Sequence, residues 1–160
     1  MSFPEIVAAL PKSPQFTWLP FNSGHVMTMD LKDSEYSTTS KIMPLDSMLE
    51  AQAQYGHAIT ALLNGKPVAV FGTVKIWEGV GEMWMICEER LREHKNYFTR
   101  AAIAYRDYTV IAGNLHRLQI TVRCADLRAV RWALFIGFEI DGMMKRYGPD
   151  QSDFFMMSRS

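Results

Sequence analysis

Residues Leu115 to Phe138 read LHRLQITVRCADLRAVRWALFIGF, a run that dictates a strand feeding a helix with a defined start and a defined end. Leu118, Ile120 and Val122 alternate with polar partners at period two, as a strand with one buried face requires. Asp126 stands at the N-cap, where its carboxylate can accept N–H groups that the first helical turn leaves without partners. Ala129, Val130, Ala133, Leu134 and Ile136 then supply an apolar stripe at helical spacing. Gly137 follows as the residue able to adopt the left-handed conformation that ends a helix. The sequence continues as GFEIDGMMKRYGPDQSDFFMMSR, which reads as two more strands. The chain is therefore expected to be an α/β protein.

Composition narrows the function classes. At 160 residues a single domain over 1–160 is expected, and 48% apolar content is ample for a core. Lysine plus arginine equals aspartate plus glutamate at 17 each, which argues against a nucleic-acid binder built on bulk charge. The longest apolar runs fall far short of the roughly 20 residues that span a bilayer. MSFPEIVAALPKSP lacks a basic segment ahead of its apolar stretch, so no membrane role and a cytoplasmic protein are expected. Cys87 and Cys124 lack metal-ligand spacing and are expected to be buried, reduced thiols. Eleven methionines read either as plastic core filler or as a surface that adapts to a partner.

Phe16 to Leu19 reads as a short strand between Pro14 and Pro20. Ser23 to Ser40 reads as mostly helical, and Leu45 to Tyr55 as a helix ended by Gly56. HAITALLN and PVAVFGTVKIW flank Asn64-Gly65, a strong short-range hairpin signal, and Gly79-Val80-Gly81 turns the chain into EMWMIC. Phe98 to Ile111 returns to helix, with Gly113 as its stop. The resulting order is β-α-α-β-β-β-α-β-α-β-β, without internal repeat or linker.

Val122, Asp126, Ala129, Gly137 and Phe138 keep every spacing of a pattern from the GNAT superfamily of acyl-CoA N-acyltransferases, with Asp in place of the usual Asn. The chain resembles that superfamily, which implies a mixed central sheet whose fourth and fifth strands run parallel and diverge at their C-terminal ends. The resemblance implies acetyl-CoA as cofactor and an amine as substrate. Pantetheine would pair with the strand at Trp84, Met85 and Ile86, and the following loop would wrap the diphosphate. That loop departs from the family pattern: CEERLREHKNYFTRA contains no glycine, so backbone cannot approach a diphosphate closely. Arg90, Arg92, Lys95, Asn96 and Arg100 are the side chains that could compensate, with Asp126 at the second helix start; alternatively the loop is a solvated mixture of charges with Glu88, Glu89 and Glu93.

Chemistry is similarly altered. Where many members carry a tyrosine that reprotonates the thiolate, four residues before the glycine, this chain has Ala133. Tyr105 and Tyr108 receive no role from sequence. Glu82 matches a position where some members carry the base that takes the amine proton, against the simpler reading of an exposed strand-end residue. A Cys87–His94 nucleophilic pair is outweighed by a structural cysteine, and His25, His57 and His116 read as structural.

A narrower resemblance is to small GNAT-like proteins of tailed bacteriophages, the internal virion protein group. It rests on Gly81, Trp84, Met85, Phe98 and Arg100, with Asp33, Glu35 and the Phe71-Gly72 pair upstream, and spans roughly Gly24 to Arg159. Two function classes follow: an acetyl-CoA-dependent N-acyltransferase, or a catalytically inert structural or assembly protein of a phage virion. The expected partners are accordingly an amine substrate or a phage or host protein. Self-association is a further expectation, because Phe154, Phe155, Met156 and Met157 join the many methionines; the plainer alternative is that these four alternate into the core.

Overall fold

The computed structural model of the protein describes residues 2–31 and 56–160. Its elements are α1 (Phe3–Ala9), β1 (Phe16–Pro20), a 3-10 turn (Ser23–Thr28), β2 (Gly56–Leu63), β3 (Lys66–Trp77) and β4 (Val80–Cys87). A second 3-10 turn (Glu89–His94) leads into α2 (Lys95–Ala112), followed by β5 (Arg117–Arg123), α3 (Leu127–Phe135), β6 (Glu139–Met144) and β7 (Phe154–Arg159). One seven-stranded sheet runs in the order β1-β2-β3-β4-β5-β7-β6. Neighbours are antiparallel except β4 and β5, which are parallel.

The local signals that specify the strands are visible in the backbone. Asn64 and Gly65 both take positive φ, 48° and 85°, as the two central residues of a tight hairpin must. Asp126 accepts the N–H of Ala129 at 3.1 Å, and Gly137 leaves α3 with φ of 99°. Both strand expectations around Asn64-Gly65, the EMWMIC strand and the final strand pair are all present.

Two expectations need correction. From Ser23 the described chain forms only a 3-10 turn to Thr28, because Asn22 caps it, accepting the N–H of Gly24 at 2.7 Å, and Met29 is already extended. The remainder of that expected helix, the expected helix from Leu45 to Tyr55, and Asp33 and Glu35 lie outside the described residues. The other correction is a helix that the element order omitted, α1. Its signals are Ser2, whose hydroxyl accepts the N–H of Glu5, a proline in the first turn, and Ile6, which is buried against the sheet.

The main core lies on one face of the sheet. Ile59, Phe71, Met83, Leu118 and Met157 project from the strands, and Ile6, Ala101, Ala102, Tyr105, Ala133, Ile136 and Phe138 cover them from the α1, α2 and α3 side. Met157 is fully buried and Phe155 packs against this core, while Phe154 and Met156 are half-buried, so one face of the last strand turns inward. A smaller cluster of Val26, Met29, Val70 and Ile86 lies on the opposite face, with Phe21 and Trp84 packed against it.

Trp84 reaches this cluster by lying over Gly72, its cross-strand neighbour. A methyl group at Gly72 would sit 2.1 Å from the indole ring, so glycine is required by the indole rather than by the backbone. Gly72→Ala is expected to destabilise the fold by about 1–3 kcal/mol, the usual cost of overpacking. In a Trp84→Leu background the same change should cost much less. Urea denaturation of the two singles and the double checks this; equal costs in both backgrounds would refute the packing explanation.

Candidate active site

β4 and β5 pair only where Val80, Gly81 and Glu82 meet Arg117, Leu118 and Gln119. Beyond Glu82 the strands separate, because β5 continues against β7 from Leu118 to Arg123 while β4 follows β3 to Cys87. The β5-facing edge of β4 from Met83 to Cys87 therefore has no strand partner among the described residues. The two strands thus open as a V past Glu82, leaving the kind of unpaired strand edge to which an extended chain or ligand can add as a further strand.

At the closed end of the slot, Glu82 is half-buried and accepts a hydrogen bond from the Gln119 amide at 2.9 Å. Tyr147, in the segment between β6 and β7, lies in the field of the same carboxylate: burial, then the Glu82 charge, raises its hydroxyl above the usual tyrosine value. Gln119 and Tyr147 are neighbours that sequence reasoning missed. Gln119 sits at a polar position of the β5 alternation, which would have marked it; Tyr147 lies in an irregular segment with no local signal.

The other proposed site residues divide. Trp84 and Ile86 send their side chains into the smaller apolar cluster, so only their backbone borders the slot. Met85 turns to the main core. Trp84 leans over Gly72 on β3, and Tyr97 is tied toward β1 by the Trp18 indole and the Pro11 carbonyl. Phe98 packs against the main core, stacked on Trp132 at 5.5 Å. The Trp132 indole also donates to Thr99 Oγ1 at 3.0 Å, so one residue of α3 clasps the N-terminal part of α2.

The glycine-free loop is a charged turn whose ions are largely paired. Glu88 is buried and accepts from the Asp30 N–H at 2.9 Å and from Arg90 Nε at 2.6 Å, which commits Arg90 to structure. Glu89 takes Arg92 at 2.6 Å and Arg128, at the start of α3, at 3.8 Å. Lys95, Asn96 and Arg92 line an open hollow of about 370 Å³ where the second 3-10 turn meets α2, whose N-terminus has no side-chain cap. Arg100 is exposed one turn further on. Asp126 spends its carboxylate capping α3. Cys87 and Cys124 are half-buried rather than buried, and His94 packs edge-on against Phe16, away from nucleophilic chemistry.

The remaining candidates are structural. Tyr105 is fully buried, hydrogen-bonded to Thr73 and to His57 Nδ1, each at 3.0 Å, and burial pushes its hydroxyl well above the usual range. Tyr108 donates to Glu5 on α1 at 3.0 Å, His25 bonds Thr60 at 2.8 Å, and His116 packs against Gly79. Among the described residues no cluster of potential metal ligands is found, and no helix is long and apolar enough to cross a membrane.

The sequence matches no family model and no curated protein. The fold, however, is that of the GNAT acetyltransferases. The Ard1 protein from Thermoplasma volcanium superposes with a TM-score of 0.68 at 16% identity, over 91% of this chain and 97% of that one. The ribosomal-protein-S5-alanine acetyltransferase from Vibrio fischeri gives 0.65 at 14% identity, over 93% and 94%. RimL, a ribosomal alpha-N-protein acetyltransferase in complex with Coenzyme A, gives 0.67 at 16% identity, over 94% and 96%.

His57 generates a pH prediction. Desolvation holds its imidazole near pKa 4 in the folded protein against 6.5 ordinarily, so unfolding takes up a proton between those values. The depressed value makes its contribution full above pH 6.5 and lost as pH falls toward 4. The interval caps the effect at about 3 kcal/mol, and water reaching the half-buried ring reduces it to about 1–2 kcal/mol. Urea midpoints at pH 7 and pH 4.5 should show wild type losing that much relative to His57→Gln; parallel losses in both proteins would contradict it.

Proposed function

We propose that the protein is an N-acetyltransferase that moves an acetyl group from acetyl-CoA to an amine. The observation that carries this reading is the fork between β4 and β5: a strand edge from Met83 to Cys87 without a strand partner among the described residues, with a carboxylate, Glu82, at its closed end. The GNAT fold, and the acetyltransferases that share it, support the assignment.

The residues fit acetyl-CoA as donor substrate in an unusual way. The backbone of Met83 to Cys87 offers the edge for pantetheine. Arg92, Lys95 and Asn96 line the hollow at the uncapped start of α2, where N–H groups and side-chain cations together favour an anion. Arg100 adds charge nearby, whereas Arg90 and Asp126 are engaged elsewhere. The glycine-free loop shifts the burden from backbone N–H groups to arginine and lysine side chains.

In the reaction, the amine nitrogen bonds to the acetyl carbon, the carbon–sulfur bond breaks and CoA leaves as thiolate. Glu82, oriented by Gln119, takes the proton that the amine must lose, directly or through one water. Ala133 supplies no acid where many members of the fold have tyrosine, so the thiolate takes its proton from solvent. On the resemblance through Gly81, Trp84, Met85, Phe98 and Arg100, the protein is phage-encoded, acting in the host cytoplasm.

Isothermal titration with acetyl-CoA and a thiol-release assay with an amine panel test the reading. Binding should weaken markedly with salt, Arg92→Ala should weaken it about tenfold, and Glu82→Gln should lower kcat by about 100-fold or more. Absence of binding at millimolar acetyl-CoA would overturn the enzyme and leave the inert virion or assembly protein as the surviving alternative.

A further inference from the structure

Glu82 does not stand alone on its strand. Glu82 on β4, Gln119 on β5 and Ser158 on β7 are successive cross-strand partners and form one row across the sheet. Arg117, two residues before Gln119, shares the face of that row, opposite to the face on which Leu118 enters the main core.

The Arg117 side chain joins this row to the edge of the sheet. Its Nε donates to Gln119 Oε1 at 2.9 Å, and a terminal nitrogen donates to Asp141 Oδ2 on β6 at 2.8 Å. Asp141 is the extra residue of an irregular step in the β6–β7 pairing, between Ile140 and Gly142, so its backbone is not locked to a β7 partner and its side chain can lean across that strand. There the Ser158 hydroxyl, and then Arg117, hold its carboxyl below the usual aspartate value. A continuous chain of hydrogen bonds thus runs from β6 to the carboxylate at the closed end of the slot.

Donor chemistry fixes the direction of that chain. An arginine nitrogen can only donate, so the Gln119 atom that faces Arg117 must be the amide oxygen. The Gln119 NH2 group is thereby turned to Glu82, where it donates to Oε1 at 2.9 Å. Oε1 is held as an acceptor, and Oε2, without a hydrogen-bond partner among the described residues, is the oxygen left to take a proton. Freed from Arg117, the amide would lose the contact that holds its oxygen end. We propose that Arg117 is a positioning residue for the base: anchored on Asp141, it sets the Gln119 amide and through it leaves Glu82 Oε2 as the atom that takes the amine proton. The catalytic half of this inference rests on the acetyl-transfer reading; the hydrogen-bonded chain does not.

The full chain with nitrogen-15-labelled glutamine tests it, the Gln119 side-chain NH2 signals being those lost in Gln119→Met. These signals should move when Glu82→Gln replaces the carboxylate. Arg117→Met, which removes the donors but keeps an extended side chain, should shift them toward free-glutamine positions and abolish their response to Glu82→Gln. Asp141→Ala, at an exposed position, should move them the same way by less, and decides the matter if circular dichroism shows Arg117→Met to be unfolded. In the thiol-release assay Arg117→Met should lower kcat by about tenfold, with KM for either substrate changed less than about twofold. In a Glu82→Gln background it should lower kcat no further. A bridge that merely joined β5 to β6 would lower kcat equally in both backgrounds; that result, or Gln119 signals indifferent to Arg117→Met and Asp141→Ala, would overturn the proposal. A wild type without acetyl transfer would instead overturn the enzyme and the catalytic half with it, while the glutamine signals would still decide whether Arg117 sets the amide.

Discussion

Three residue pairs decide what this molecule can do: Val80, Gly81 and Glu82 against Arg117, Leu118 and Gln119. They are the seam between two antiparallel blocks, β1 to β4 on one side and β5, β7 and β6 on the other. A longer parallel ladder would close the sheet and remove the slot; a shorter one would let the blocks drift apart. Parallel pairing contributes less per residue than antiparallel pairing, so three pairs alone cannot hold the seam. The helices do that from one face.

The grip is polar at its edges and apolar beneath. Trp132 ties α3 to the start of α2 by a stacked ring and a hydrogen bond to Thr99. Near the other end of α3, Arg106 of α2 is buried and donates to the Ile136 carbonyl, satisfying a group that the helix C-terminus would otherwise leave without a partner. Between these clasps lie Ala101, Ala102, Tyr105, Ala133 and Phe138, all buried. Because α2 follows β4 and α3 follows β5, clasping the helices fixes the opening of the strands. The position of Glu82 relative to the slot is thus set by contacts on the opposite face of the sheet.

Much of this was legible in the chain. Asn64-Gly65, Gly79 and Gly137 are punctuation whose positive φ values only certain residues tolerate, and period-two alternation located β5 without ambiguity. α1 escaped because its seven residues are too few for a periodic pattern and Pro4 reads equally as a turn. Ser23 to Thr28 misled because mixed apolar spacing suits a helix or a tight turn, and the difference is made by Asn22 and by His25, whose ring accepts the Asn22 N–H at 3.2 Å. At the site, the sequence indicated which residues were charged but not which were already engaged. Arg90 and Arg92 look equivalent two residues apart, yet the first serves a buried carboxylate and the second an exposed one. Tertiary proximity, which no local window contains, makes that distinction.

The glycine-free loop carries a consequence for any anion at the mouth of the slot. A glycine-rich cradle presents N–H dipoles that have no competing partner, so an anion meets preorganised donors. Here the nearest arginines on both sides, Arg92 and Arg128, converge on Glu89 at 2.6 and 3.8 Å. A diphosphate must either displace that carboxylate or share its cations, and each exchange trades one charge-assisted pair for another. Such an exchange of charges is sensitive to salt and to the loss of either arginine. If acetyl-CoA binds as proposed, the β4 edge, unpaired among the described residues, would take the extended pantetheine, and the charged turn would take the diphosphate by exchanging one carboxylate for another anion.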